Sequence, residues 1–246
     1  MTDTALSDLA ARVASARRVT VMTGAGVSAA SGVPTFRGPG GLWRHYRPED
    51  LATRQAFARD PALVWEWYAW RRQTVAACRP NPAHEVLARW SRRDGHTLII
   101  QNVDDLHVRA GTRDLVRLHG SLWEMTCFNG CERGTRSWRD ERVPLPEMPP
   151  SCPHCGGSAR PAVVWFGDSL DSADVNRAFN ATACDVFLTV GTSALVYPAA
   201  GLVHQARARG AFTAEINVDE TPASALVDVS LRGPAEEILP AVDQLI

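Results

Sequence analysis

Apolar residues in this chain fall into two kinds of run. Val19–Thr23, Thr97–Gln101 and Val186–Val190 are short and apolar nearly throughout, as expected of strands buried on both faces of a parallel sheet. Ala214–Asn217 reads as a further strand and Val227–Leu231 as a short last one. Between them the period changes. Leu6, Leu9, Ala10 and Val13 recur at helical spacing within Leu6–Arg17, and helical patterns cover Pro82–Asp94, Asp171–Cys184 and Ala199–Arg209, the last closed by Gly210. Strand, glycine turn and helix in repetition predict an α/β fold with a doubly wound, Rossmann-like parallel sheet. Two stretches interrupt it: residues 36–80, with two or so helices rich in Trp, Tyr and Arg, and residues 121–160, with cysteines, prolines and little periodicity.

At 246 residues with 45% hydrophobic content, the chain can bury a substantial core as one domain carrying an insertion. A net charge of −1 gives no footprint for nucleic acid or a membrane surface. No apolar run approaches a membrane span, and Met1–Ala10 lacks the basic and apolar segments of a secretory signal, so a cytoplasmic location is expected. All 26 basic side chains are Arg. A GC-rich genome accounts for that; so does selection against acylation of the chain's own amines. The short terminal extensions lead us to expect a monomer.

Four of six cysteines are paired, Cys127-x3-Cys131 and Cys152-x2-Cys155, while Cys78 and Cys184 stand alone. Paired spacing in a chain without a signal favours metal over disulfides. Four thiolates satisfy Zn²⁺ completely, so the predicted ion is structural. His154, between the last two cysteines, is the other candidate ligand, and unligated thiols the remaining possibility.

The densest chemical signal follows the first strand: Thr23-Gly24-Ala25-Gly26-Val27-Ser28, then Ser31-Gly32-Val33-Pro34-Thr35-Phe36-Arg37-Gly38. Glycines after a strand let backbone approach a phosphate, and Phe36 and Arg37 add an aromatic face and a cation. The string resembles the signature of the sirtuins, NAD-dependent protein-lysine deacylases, and the likeness extends from about Arg18 to Ala235. It implies a Rossmann-like NAD-binding domain made of residues 1–35, 81–120 and 161–246. Residues 36–80 and 121–160 would form a small domain, a helical module plus zinc ribbon, with the active-site cleft between the two.

Three more motifs fit the resemblance. Gln101-Asn102-Val103-Asp104 ends a predicted strand; taken alone it is a turn, but the likeness makes Asp104 the ligand of the nicotinamide carboxamide and Asn102 a catalytic contact to the ribose. Leu118-His119-Gly120-Ser121 contains the implied general base, His119, whose ordinary pKa near 6.5 suits proton uptake. His84 and His107 fall in helix-like contexts expected at the surface. Gly191-Thr192-Ser193, Asn217-Val218-Asp219 and Ala235 are expected along the adenosine half of NAD, with Gly24, Ala25, Gly26, Ser28, Thr35, Phe36, Arg37, Trp43, Gln101 and Val103 completing the cofactor set.

Asp60-Pro61 reads as a helix start, and Tyr68 and Arg71 then share one helix face. By themselves they are an ordinary packed tyrosine and a surface arginine. They also match the Tyr-x-x-Arg pair of the desuccinylase and demalonylase branch of the sirtuins, with a small Ala52 leaving room for the acyl group. A guanidinium and a phenol suit a terminal carboxylate. Val164-Trp165-Phe166-Gly167 resembles the segment whose backbone pairs with the acyl-lysine substrate. The implied products are free lysine, nicotinamide and 2′-O-acyl-ADP-ribose, from succinyl- or malonyl-lysine and more weakly from acetyl-lysine. A general deacetylase without acidic-acyl preference, a sirtuin-fold ADP-ribosyltransferase and a non-catalytic NAD-sensing module are the alternatives.

Overall fold

The two most apolar runs lie side by side at the centre of the molecule. In the computed structural model, which describes residues 3–37, 41–42 and 45–246, β1 (Val19–Thr23) pairs in parallel with β2 (His96–Ile100) on one side and β7 (Val186–Val190) on the other. Flanking strands β3 (Leu115–Arg117), β8 (Phe212–Asn217) and β9 (Val229–Arg232) complete a parallel sheet in the order β3-β2-β1-β7-β8-β9. Every residue of β1 and β7 is buried. Val19 and Val21 pack under α1 (Asp3–Ser15), α5 (Pro82–Trp90) and α9 (Ala235–Asp243). Met22 and Phe187 face the other way, toward α7 (Ser172–Ala181) and α8 (Gly201–Ala208). The expected Rossmann-like sheet is therefore present, and strand order reverses between β1 and β7, where open α/β sheets bind ligands at the carboxyl ends.

A smaller layer is inserted. Its antiparallel sheet, in the order β5-β4-β6, comprises β4 (Gly120–Cys127), β5 (Trp138–Arg139) and β6 (Ala159–Val163). It shares one apolar core with α2 (Pro48–Leu51), α3 (Arg54–Arg59) and α4 (Pro61–Ala77), built on Phe57, Trp65, Leu122, Met125 and Trp165. β4 was not legible as a strand among the cysteines and prolines, yet Met125 and Cys127 are buried and Glu124 and Thr126 are not, the alternation of a half-buried strand. The start of α4 follows its cap: the Asp60 carboxylate accepts from the Leu63 amide at 2.9 Å, with Pro61 in the first turn.

The surface assignment of two histidines is overturned. His84 and His107 are buried, with ring centroids 4.6 Å apart. His84 occupies the third position of α5, where Nδ1 lies 3.2 Å from the Asn81 amide nitrogen and 3.0 Å from Asn81 Oδ1, the oxygen that receives the amides of Ala83 and His84. This reciprocal cap pulls the imidazole back toward the helix start and under β1. No helix among the described residues is long and apolar enough to cross a membrane.

Candidate active site

A cleft of about 930 Å³ opens at the carboxyl ends of β1 and β7 and runs between the sheet and the inserted layer, at the upper end of the size of small-molecule sites. Gly24, Ala25, Gly26, Thr35, Phe36 and Arg37 line it from the first loop, and Gln101, Asn102, Val103 and His119 from the next two strand ends. Gly191, Thr192, Ser193, Asn217, Val218, Asp219 and Ala235 line one end; Ala52, Tyr68, Arg71 and Val164 to Gly167 line the other. Ser28 and Asp104 sit immediately behind this wall, and Trp43 lies outside the described residues.

The glycines of the first loop serve a contact that sequence alone did not suggest. Gly24 N–H donates to the Val190 carbonyl at 3.0 Å and Gly26 N–H to the Gly191 carbonyl at 2.8 Å. A Cβ on Gly24 would stand 2.7 Å from Thr192 Cβ, and one on Gly26 would stand 2.8 Å from Gly191 Cα. So the two loops that converge on the cleft touch backbone to backbone. Asn217 Nδ2 donates to the Thr192 carbonyl at 2.8 Å and Gln101 Nε2 to Thr192 Oγ1 at 2.9 Å, tying the next strand ends into the same wall.

Behind Asn102, Ser28 is fully buried and donates to the Asp104 carboxylate at 2.8 Å, while Asn102 Nδ2 donates to Ser28 Oγ at 3.0 Å. The other Asp104 oxygen accepts from the Leu106 amide at 2.9 Å. Burial pushes the Asp104 carboxyl above the usual range, and these donors pull it back. His84 Nε2 lies 3.3 Å from Ser28 Oγ. The serine hydroxyl thus lies between the His84 ring and the Asp104 carboxylate, to which it donates.

His119 is half-buried between β3 and β4, and its Nδ1 lies 2.9 Å from the Gln101 carbonyl oxygen. That oxygen can only accept, so Nδ1 bears the hydrogen and Nε2 is a free base. Burial lowers the pKa of His119 below 6.5, against a smaller upward pull from the Gln101 bond, so the ring is neutral at pH 7.

The Sir2 family model matches residues 24–198, which include the inserted layer and the cleft wall up to Ser193 but not Asn217 to Asp219 or Ala235. The chain belongs to the Sir2 family. A Pyrobaculum aerophilum NAD-dependent protein deacylase is 49% identical over 93% of this chain and 90% of its own. A Pseudomonas aeruginosa NAD-dependent protein deacylase is 48% identical over 93% and 94%. A crystal structure of a Sir2 homologue–NAD complex superposes with a TM-score of 0.90 at 44% identity, covering 100% of this chain and 94% of that one. A more distant Sir2 structure, bound to a myristoylated histone peptide, superposes at 0.79 with 29% identity over 99% and 97%.

Two further features of this Sir2 chain follow. Cys127, Cys131, Cys152 and Cys155 bring their Sγ atoms within 4.8 Å of one another, with 3.6 Å between Cys127 and Cys155 and 3.8 Å between Cys131 and Cys152. Four sulfurs at 2.3 Å from a tetrahedral zinc stand about 3.8 Å apart, so the set fits Zn²⁺ with no open position. The three-residue spacer closes because Gly130 adopts positive φ, and Gly134 packs where a Cβ would stand 2.5 Å from Cys127 Cβ. The end of the cleft away from Asn217 holds Tyr68 and Arg71, both buried. The Arg71 guanidinium stacks over Phe36, Trp67 and Tyr68 at 4.8, 4.9 and 5.7 Å from their ring centroids. No hydrogen bond joins it to an acceptor among the described residues. Burial lowers its pKa, opposed by Tyr68 and Asp104, and burial raises that of Tyr68.

Proposed function

We propose that this Sir2 protein is an NAD-dependent protein-lysine deacylase. The observation that carries the reading is the His119 tautomer: a neutral imidazole whose Nδ1–H is held by Gln101 and whose Nε2 is unprotonated, in the wall of a dinucleotide-sized cleft. NAD supplies, when bound, a glycosidic bond activated by its nicotinamide leaving group. Gly191 to Ser193, Asn217 to Asp219 and the Gly24 to Gly26 loop would hold its adenosine and diphosphate portions, and Asn102, braced from behind by Ser28 and Asp104, its nicotinamide end. His119 Nε2, facing the cleft as a free base, would take up a proton from a ribose hydroxyl held there. Phe36, in the cleft wall, would keep water from the reacting carbon.

The substrate lysine enters past Val164 to Gly167. Val164 N–H already donates to the His119 carbonyl at 3.0 Å and Phe166 N–H to the Ala52 carbonyl at 2.9 Å. Asp168 holds both the Trp165 amide, through its carboxylate, and the Trp165 carbonyl, through its own N–H, so a substrate strand would add through the backbone of Gly167 at the end of the segment.

The relatives are named for deacylation without an acyl class, which supports a broad enzyme that accepts acetyl-lysine. One feature of this chain supports a narrower reading. Arg71 is a buried cation without a hydrogen-bonded acceptor, and a buried charge calls for a partner. A succinyl or malonyl carboxylate supplies it. An ADP-ribosyltransferase would need neither that pair nor a base at His119.

The test is turnover of matched acetyl-, malonyl- and succinyl-lysine peptides with NAD, the nucleotide product being identified by mass. 2′-O-acyl-ADP-ribose is expected; ADP-ribose attached to protein would overturn deacylation. A charge-assisted bond contributes about 1.5–3 kcal/mol, so Arg71→Met should lower the succinyl-to-acetyl ratio of kcat/KM by roughly 10- to 150-fold. Equal losses for both peptides would leave the broad reading standing.

A further inference from the structure

Trp165 is 2% exposed, and its indole borders the acyl end of the cleft. Nε1 lies 2.9 Å from Tyr68 Oη, a contact between residues 97 positions apart. An indole N–H only donates, so the phenol oxygen must accept there and its own proton must go elsewhere. Among the described residues no hydrogen bond takes that proton, although buried donors nearly always find an acceptor. Beside it stands Arg71, likewise without an acceptor.

The indole is also held rigidly. The Arg160 guanidinium lies 3.7 Å from its ring centroid, and Arg160 Nη2 donates to the Asp168 carboxylate at 2.8 Å and the Val163 carbonyl at 2.6 Å. The same Asp168 carboxylate accepts from the Trp165 amide at 3.3 Å. One carboxylate therefore fixes both the backbone and the stacked face of the residue that sets the phenol. Phe57 packs 5.4 Å away, centroid to centroid, and limits tilting of the ring.

We propose that Trp165 is a specificity-determining positioning residue. By occupying the acceptor side of Tyr68, it makes the phenol an obligate donor toward acyl chains whose far end carries a hydrogen-bond acceptor, charged or neutral. This rests on the reading that the acyl chain ends between Tyr68 and Arg71, but it does not require that end to be ionised. A succinyl chain and its terminal-amide analogue both qualify; acetyl does not.

The test compares Trp165→Phe, Tyr68→Phe and the double variant on acetyl-, succinyl- and succinamyl-lysine peptides. The readout is the ratio of kcat/KM for succinamyl over acetyl, which cancels any general loss. Trp165→Phe should lower it by about five- to tenfold, the effect of a neutral hydrogen bond. Tyr68→Phe should lower it as much, and the double variant no further. A ratio within twofold of wild type in Trp165→Phe overturns the proposal, as does additivity in the double variant. If Trp165→Phe shows no cooperative melting, Tyr68→Phe decides: an unchanged ratio there overturns it. Failure of the acidic-acyl reading would show separately, as a succinyl-to-acetyl ratio that Arg71→Met does not move, and would leave the succinamyl ratio to judge Trp165.

Discussion

Acid should destabilise this fold through His84 more than through an ordinary surface histidine. The ring is fully buried, with its Nδ1 held against Asn81. Burial lowers its pKa from 6.5 to about 4. At pH 8 the ring is neutral in folded and unfolded chains alike. As pH falls below 6.5, the unfolded chain takes up a proton that the folded one refuses, so stability is lost until pH reaches about 4. The full loss is 6.5 minus 4, or about 2.5 pKa units at 1.36 kcal/mol each, hence about 3 kcal/mol. That is a large share of the 5–15 kcal/mol by which domains are typically stable. Urea unfolding followed by tryptophan fluorescence at pH 8, 6.5, 5.5 and 4.5 measures it, on wild type and His84→Gln. Referring each protein to its own value at pH 8 removes any damage done by the substitution itself. The difference between the two curves removes the carboxylates, and the double variant with His107→Gln removes His107, whose pKa His84 helps to lower. Wild type should lose about 2.5 kcal/mol more than the variant between pH 8 and 4.5. Parallel curves would refute the assignment of a buried, neutral His84.

Four other outcomes are expected. His119→Tyr should abolish deacylation without shifting the melting temperature, and wild-type kcat/KM should fall on the acid side through a pKa below 6.5, because burial lowers that of His119; an acid limb above pH 7 would contradict this. Chelation of zinc should expose the segment between Cys127 and Cys155 to proteolysis, since four thiolates rather than a local core close it; a metal-free protein that resists cleavage would exclude a structural ion. Gly24→Ala should cost about 1–3 kcal/mol by overpacking and raise KM for NAD, because its Cβ would stand 2.7 Å from Thr192 Cβ; unchanged stability by urea unfolding would rule out the loop contact. Incubation with reactive acyl thioesters should leave every side-chain amine unmodified, as the chain has none; intact-mass adducts beyond the N-terminus, Cys or Ser would count against immunity to acylation.

The local parts of this fold are legible in the chain. The apolar run Val19–Thr23 and its counterpart Val186–Val190 match β1 and β7 residue for residue, because strands buried on both faces need no partner information to be recognised. The start of α4 was set by Asp60 and Pro61, a capping rule that acts within three residues. The cysteine pairs announced their cluster by spacing alone. β3, only three residues long, and β4, whose alternation lies among motif residues, carried too little periodic signal.

What tertiary structure decided is which distant groups meet. Sequence placed Gly24 and Gly26 at a phosphate; packing shows that their immediate task is to let two strand ends touch at Gly191. Helical context put His84 and His107 at the surface, whereas the cap at Asn81 and the position of α5 over the sheet bury them. Tyr68 and Arg71 share a helix face by spacing, but the indole that orients the phenol arrives from another element and the cation's lack of an acceptor depends on every neighbour. Hydrophobic period and capping act over a few residues, so the chain states them outright. Burial and hydrogen-bond satisfaction are sums over groups brought together only by the closed fold, and no stretch of sequence contains that sum.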